Sequence, residues 1–193
     1  MAKAPPDRAP PETGDAPWDA VESLFQRGMA ARREGRTDEA MRHMKAAVAL
    51  ARRGEDPLAL ARALHGQANV ERDRGRTRAA LDLYLEAVPL CRQGDDPLVF
   101  AHTVRHLGDV LRELGDLTKA ERCYAEALAA YRADPATPPL DAANAVRSAA
   151  ILSEARDEPD QARQRWREAL DLYRRARIEA GVSESASHLE RLR

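Results

Sequence analysis

Aromatic side chains make up only 4% of this 193-residue chain, while charged residues make up 33%. Ala, Leu, Arg and Glu fill the space the aromatics leave, a balance that favours helices with solvated outer faces over a β-rich core and predicts an all-α fold. Cysteine is equally scarce. Cys91 and Cys123 sit inside apolar helical patterns without any CxxC pairing, which argues against a disulfide framework or a zinc site and makes both small core residues. No stretch approaches the roughly 18 consecutive apolar residues of a membrane span. The opening MAKAPPDRAPPETGDAP has no apolar run, so no secretory signal peptide is expected. Neither sign of charge dominates, with 31 Lys and Arg against 32 Asp and Glu, so no global field recommends a membrane or nucleic acid as partner. A soluble, cytoplasmic protein is the expectation. Also missing are a nucleophile with a base partner, a glycine-rich phosphate loop and paired carboxylates in a recognisable frame, so neither enzyme activity nor a cofactor is expected.

What the chain does contain is a repeat of 40 residues. Gly35, Gly75 and Gly115 mark it, each followed five residues later by a small residue, Ala40, Ala80 or Ala120. Downstream, Met44, Tyr84 and Tyr124 share a column, as do Ala47, Ala87 and Ala127, and Arg52, Arg92 and Arg132. A fourth copy, displaced by two residues, has Asp157 in the glycine place, then Ala162, Trp166, Ala169 and Arg174. Each unit reads as two helices. The first ends at the glycine, whose missing Cβ permits the left-handed turn. Thr37 and Thr77 are expected to cap the second helix in units one and two, with Asp116 or Thr118 doing so in unit three. Between units stand GEDP, GDDP and ADPATPP, in which Gly or Asp ends one helix and Pro57, Pro97 or Pro139 begins the next.

The resulting division is a disordered Pro-rich leader at 1–17, four hairpins at about 18–55, 56–95, 96–135 and 139–177, and a capping helix in 178–193 that Ser183 or Ser185 could cap. No hairpin buries its apolar stripe alone, so stacked neighbours must supply the core and a terminal helix must cover the last one. The Ala column lets paired helices approach, and Tyr84, Tyr124 and Trp166 fill the space beside it. The Arg column 52, 92, 132 and 174 reads as cations closing each second helix.

Residues 107–131, LGDVLRELGDLTKAERCYAEALAAY, resemble a tetratricopeptide repeat: Leu107, Gly108 and Leu111 match its first helix, Gly115 its turn, and Ala120, Tyr124 and Ala127 its second helix. The likeness extends over more than four-fifths of the chain, with departures such as Ala68 where Gly108 stands. Units of 40 to 42 residues exceed the usual length of about 34, as in the extended subgroup seen in kinesin light chains. The resemblance implies a right-handed superhelical array of antiparallel helix hairpins, an α-solenoid that binds a protein or peptide on a concave surface lined by first helices. The implied lining residues are Glu22, Phe25, Met29 and Arg32; Arg62, His65, Asn69 and Arg72; His102, Arg105, Asp109 and Arg112; and Asn144, Arg147, Ile151 and Glu154.

Six arginines face three acids in that set, which predicts a locally basic groove suited to an acidic peptide or a terminal carboxylate. The expected partner-binding residues are therefore Arg62, His65, Asn69, Arg72, His102, Arg105, Asp109, Arg112, Asn144 and Arg147. A second reading makes the same arginines ordinary solvated residues, some neutralised by acids on the adjacent helix. His65 and Asn69 only partly match the Lys/Asn pair of chaperone-tail-binding relatives, since His replaces Lys. His102 and His106, with Asp109 and His65 near, have metal-compatible spacing but lack a Glu-flanked zinc signature, so no metal is expected. Nucleic-acid binding along the basic groove and self-association are the rival readings.

Overall fold

The computed structural model describes residues 17–94 and 96–193. Among them are nine α-helices and no strand: α1 Pro17–Arg33, α2 Thr37–Ala51, α3 Pro57–Asp73, α4 Thr77–Gln93, α5 Pro97–Glu113, α6 Leu117–Ala133, α7 Pro139–Ala155, α8 Pro159–Ala176 and α9 Glu179–Arg191. Pro17 opens α1 and so does not belong to the leader; the rest of that predicted segment, residues 1–16, lies outside the described residues.

One turn chemistry makes every hairpin. After α1 the Arg36 N–H bonds the Ala31 carbonyl at 2.9 Å and the Gly35 N–H bonds that of Arg32 at 3.1 Å, which satisfies carbonyls the helix leaves unpaired. Gly35, Gly75 and Gly115 hold φ at 74°, 73° and 85° there, a region closed to most side chains. In unit four Asp157 takes the same conformation, φ 57°, because a short polar side chain tolerates it. The same pair of bonds closes α8, where Arg177 sits at φ 58° without any sequence signal for a turn.

This turn overturns the predicted threonine caps. It runs straight into the next helix, so Arg36 and Arg76 occupy the cap positions without a side-chain bond, and Thr37 and Thr77 are already the first helical residues. Asp116 does cap α6, accepting from the Lys119 N–H at 3.1 Å. Asp56 and Asp96 begin helices and do not end them: each carboxylate accepts two backbone N–H bonds at 2.8 to 3.1 Å, just ahead of Pro57 or Pro97. Neither Ser183 nor Ser185 caps α9, which starts after Ile178; Ser185 is buried and donates to the Gly181 carbonyl at 2.8 Å.

Packing follows the predicted columns. Ala40, Ala80, Ala120 and Ala162 are all fully buried, and beside them Met44, Tyr84, Tyr124 and Trp166 are at most 1% exposed. Gly108 faces Tyr124 so closely that a Cβ would stand 2.7 Å from the ring. Helix α9 occupies the place of a fifth unit's first helix. It packs on α8, its Val182 and Leu189 joining the cluster around Trp166 and Tyr173.

Replacing Ala120 by Leu is expected to overpack the third hairpin by about 1–3 kcal/mol, and Tyr124→Ala to cost about 3 kcal/mol or more. Urea unfolding followed by helical circular dichroism checks both; wild-type stability in either variant would remove that face from the core.

Candidate functional site

The first helices form one continuous wall. α1 packs on α3, α3 on α5 and α5 on α7, whereas no even helix packs comparably on the next even one, so the stack is fanned open on the even side and the odd helices line the inner face.

Not all the predicted lining residues lie on that face. Asn69 and Asp109, 3% and 6% exposed, lie beneath it and accept hydrogen bonds from the hydroxyls of Tyr84 at 2.8 Å and Tyr124 at 2.9 Å. Asn144 is likewise taken by Tyr173 at 2.9 Å. The reason is the spacing. For Asn69 and Asp109, a residue six before the turn and one nine after it meet across the hairpin, so a buried tyrosine hydroxyl finds its acceptor there. Unit one fills the same two positions with Met29 and Met44, and unit four with Ile151 and Trp166.

The expected basic strip is also largely neutralised. Arg32 pairs with Asp73 at 2.5 Å, Arg62 with Glu22 at 3.3 Å, Arg72 with Glu113 at 2.5 Å and Asp109 at 3.5 Å, Arg105 with Asp109 at 3.4 Å, and Arg147 with Glu184 at 2.5 Å. Asp73 and Glu113, two before their glycines, lie outside the expected lining set, although they follow Arg32 and Arg72 by the same 41 residues. Glu184 comes from α9, which has no counterpart in the repeat alignment. Arg112 alone among the six makes no ion pair with a described residue, and its Nε is buried without a hydrogen-bond partner.

The two histidines spaced for a metal diverge. His102 Nε2 stands 3.0 Å from Asp141, while His106 turns under the wall against His65 and stacks on Tyr84. Among the described residues no three His, Cys, Asp or Glu side chains are arranged to hold a metal ion. Arg105 Nη2 lies 2.8 Å from His106 Nε2. A guanidinium only donates, so Nε2 must be unprotonated and the ring neutral, its proton on the Nδ1 that lies 3.5 Å from Asp109. Burial and the Arg105 charge accordingly lower His106 to about 4. Burial, with the neighbouring His106, also puts His65 well below the ordinary range. Burial pushes the Asp109 carboxyl up, but the adjacent His106 ring and the charges of Arg105 and Arg72 outweigh it and hold the carboxyl well below its usual value.

The open part of the wall is a depression of about 310 Å³ between α1, α3 and α5, floored by Phe25, Leu98 and Val99 and rimmed by Arg62, His65 and His102. Arg62 also lies over the Trp18 and Phe25 rings, 5.6 Å from each centroid. A larger cleft of about 420 Å³ lies between α6 and α8, but its charged lining is already engaged: Arg132 with Glu168, and Glu121 with Arg156. The first of these belongs to an outer ladder, in which Arg52, Arg92 and Arg132 reach Glu86, Glu126 and Glu168 of the next unit at 2.7 to 3.0 Å. Those arginines thus bridge units in addition to closing their own helices.

Among the described residues, four hairpins closed by a recurring turn, with first helices walling one face, define a tetratricopeptide solenoid. The family model described as the MalT-like TPR region matches residues 14–192, and the chain belongs to that family. Solved structures agree on the fold. BtubC (BKLC) from P. vanneervenii superposes with a TM-score of 0.80 at 19% identity, over 91% of this chain and 72% of that one. A kinesin light chain protein with nearly identical TPR-like repeats from Podospora anserina gives 0.72 at 14% identity, over 93% and 87%. A signal-transduction ATPase with numerous domains from Pyrococcus horikoshii, bearing a tetratricopeptide repeat sensor, gives 0.76 at 17% identity, over 92% of this chain and 28% of that one. No curated protein matches the chain. No described helix is long and apolar enough to cross a membrane.

The buried histidines set a pH dependence. An unfolded chain binds protons on these rings near the ordinary value of 6.5, whereas the folded His106 binds one only near 4, so acid favours the unfolded state across that interval. Stability should therefore fall from about pH 6.5 to about 4, and below that the loss of the Asp109 charge adds to it. Thermal unfolding across this range checks the slope, which His106→Gln should make shallower; an unchanged slope in the variant would contradict the assignment.

Proposed function

We propose that this chain is a non-catalytic scaffold that holds a segment of a partner protein, acidic in character, along the wall of first helices. The observation that carries the reading is the depression floored by Phe25, Leu98 and Val99, because it stands on the same wall as Arg62, His102, Arg112 and Arg147. An apolar side chain of the partner enters the depression while its carboxylates meet Arg112 and compete with Glu22 and Glu184 for Arg62 and Arg147. Micromolar affinity requires roughly −8 kcal/mol, which one buried apolar side chain and two or three charge-assisted bonds can supply. Asn69 and Asp109 act indirectly, holding the wall in shape from beneath, and the half-buried Asn144 is engaged by Tyr173. The repeat family supports a protein partner. Pairing of five of the six wall arginines weighs against a phosphate track along the groove.

The test is capture from the native cell lysate by wild type beside Arg62→Glu/Arg112→Glu. Arg105 is unsuitable, because a glutamate there would be buried against Asp109 and would destabilise the fold. The double variant should lose the partner while melting within a few degrees of wild type, and roughly 0.5 M salt should weaken the wild-type complex, since exposed charges are screened. Equal capture by both proteins would end the groove reading.

A further inference from the structure

The inner ion pairs recur with a fixed geometry, and one of them is incomplete. Three residues before each turn glycine stands an arginine, and two before the next unit's turn stands its acid: Arg32 Nε donates to Asp73 at 2.5 Å, and Arg72 Nε donates to Glu113 at 3.0 Å. Arg112 is the third arginine of this column. The matching position of unit four, two before Asp157, is Ala155, exposed at the end of α7. The atom left without a partner is the one that the missing acid would engage, the buried Nε of Arg112. Other acids in reach of such a rung are committed elsewhere: Glu113 to Arg72, Asp109 to Arg72, Arg105 and Tyr124, and Glu154 to Trp166 and His188. The guanidinium also faces the Tyr124 hydroxyl, which burial and Asp109 hold far above its usual range against the opposing pull of Arg112.

We infer that Arg112 is a receptor for one carboxylate of a bound partner, which enters the place that Asp73 and Glu113 fill in the preceding units. The inference rests on the groove reading and narrows it to one atom pair and one ligand group. A guanidinium presents Nε and one Nη in the planar fork that a carboxylate accepts with two oxygens, and the chain itself uses that fork three times, from Arg32, Arg72 and Arg147. Beyond Arg112 the column ends, since unit four has Glu154 there, paired with His188 of α9.

The experiment is a titration of the full chain followed on the arginine Nε–Hε resonances, that of Arg112 being identified by Arg112→Lys. The probes are N-acetylglutamate α-amide, whose only carboxylate is on the side chain, N-acetylalanine, whose only carboxylate is terminal, and neutral N-acetylglutamine amide as control. Saturable movement of the Arg112 resonance with a carboxylate probe, and not of Arg32, Arg72 or Arg147, is the expected result; which probe moves it identifies the source of the carboxylate. Ala155→Glu supplies the missing acid from within the chain. In that variant the resonance should already be displaced without probe, and the apparent Kd should rise by about tenfold or more, because a tethered carboxylate competes at millimolar effective concentration. Ala155→Gln, which matches it in size without charge, should titrate like wild type. Absence of saturation in wild type, or equal titration by Ala155→Glu, overturns the assignment. The titration needs no partner, so its failure is separate from loss or retention of the partner in lysate capture.

Discussion

The close approach of two helices at Ala40, Ala80, Ala120 and Ala162 underlies everything else in this molecule. Because no side chain intervenes there, each second helix presses a large residue, Met44, Tyr84, Tyr124 or Trp166, against its own first helix. Helices that touch along this seam fix the angle of each hairpin, and hairpins with one shape stack with one repeating offset. That offset is what brings residues 40 apart into adjacent positions on the odd-helix wall.

Burying tyrosines at that seam has a polar consequence. A phenol hydroxyl under the wall needs an acceptor, and Asn69 and Asp109 supply it. In unit three the acceptor is a carboxylate, which costs much more to bury than an amide unless it is surrounded by donors. Arg72, Arg105 and His106 gather around Asp109, and His65 packs edge-on against His106. Residues that read as a binding constellation are in this way drawn into support of the middle hairpins, and the cost appears as sensitivity to acid.

Charge is used on both sides of the solenoid to join neighbours. The outer arginines at 52, 92 and 132 and the inner ones at 32 and 72 all reach an acid of the following unit, so each ladder reads the offset between hairpins. Exposed pairs of this kind contribute only about 0–1 kcal/mol each, so their effect lies in register more than in stability. Where the inner ladder lacks its acid, at Ala155, Arg112 makes no ion pair with a described residue and its buried Nε has no hydrogen-bond partner.

The number of hairpins, their turns and their core columns were legible in the sequence, because helix period, turn glycines and buried alanines are local signals repeated every 40 residues. Asp157 could be read as a glycine substitute from its column alone. The threonine caps were misread because the turn and the next helix share a residue, which a list of cap preferences does not reveal. The ten expected site residues were placed on one wall by counting, and counting gave their height along each helix. It did not give depth or partners. Whether Asn69 lies on the wall or under it depends on a tyrosine 15 residues away, and whether Arg72 or Arg147 is neutralised depends on Glu113 and on Glu184 of a helix outside the repeat. Those outcomes belong to the stacking of units, since ion pairs and buried hydrogen bonds form between side chains that only the tertiary structure brings within reach.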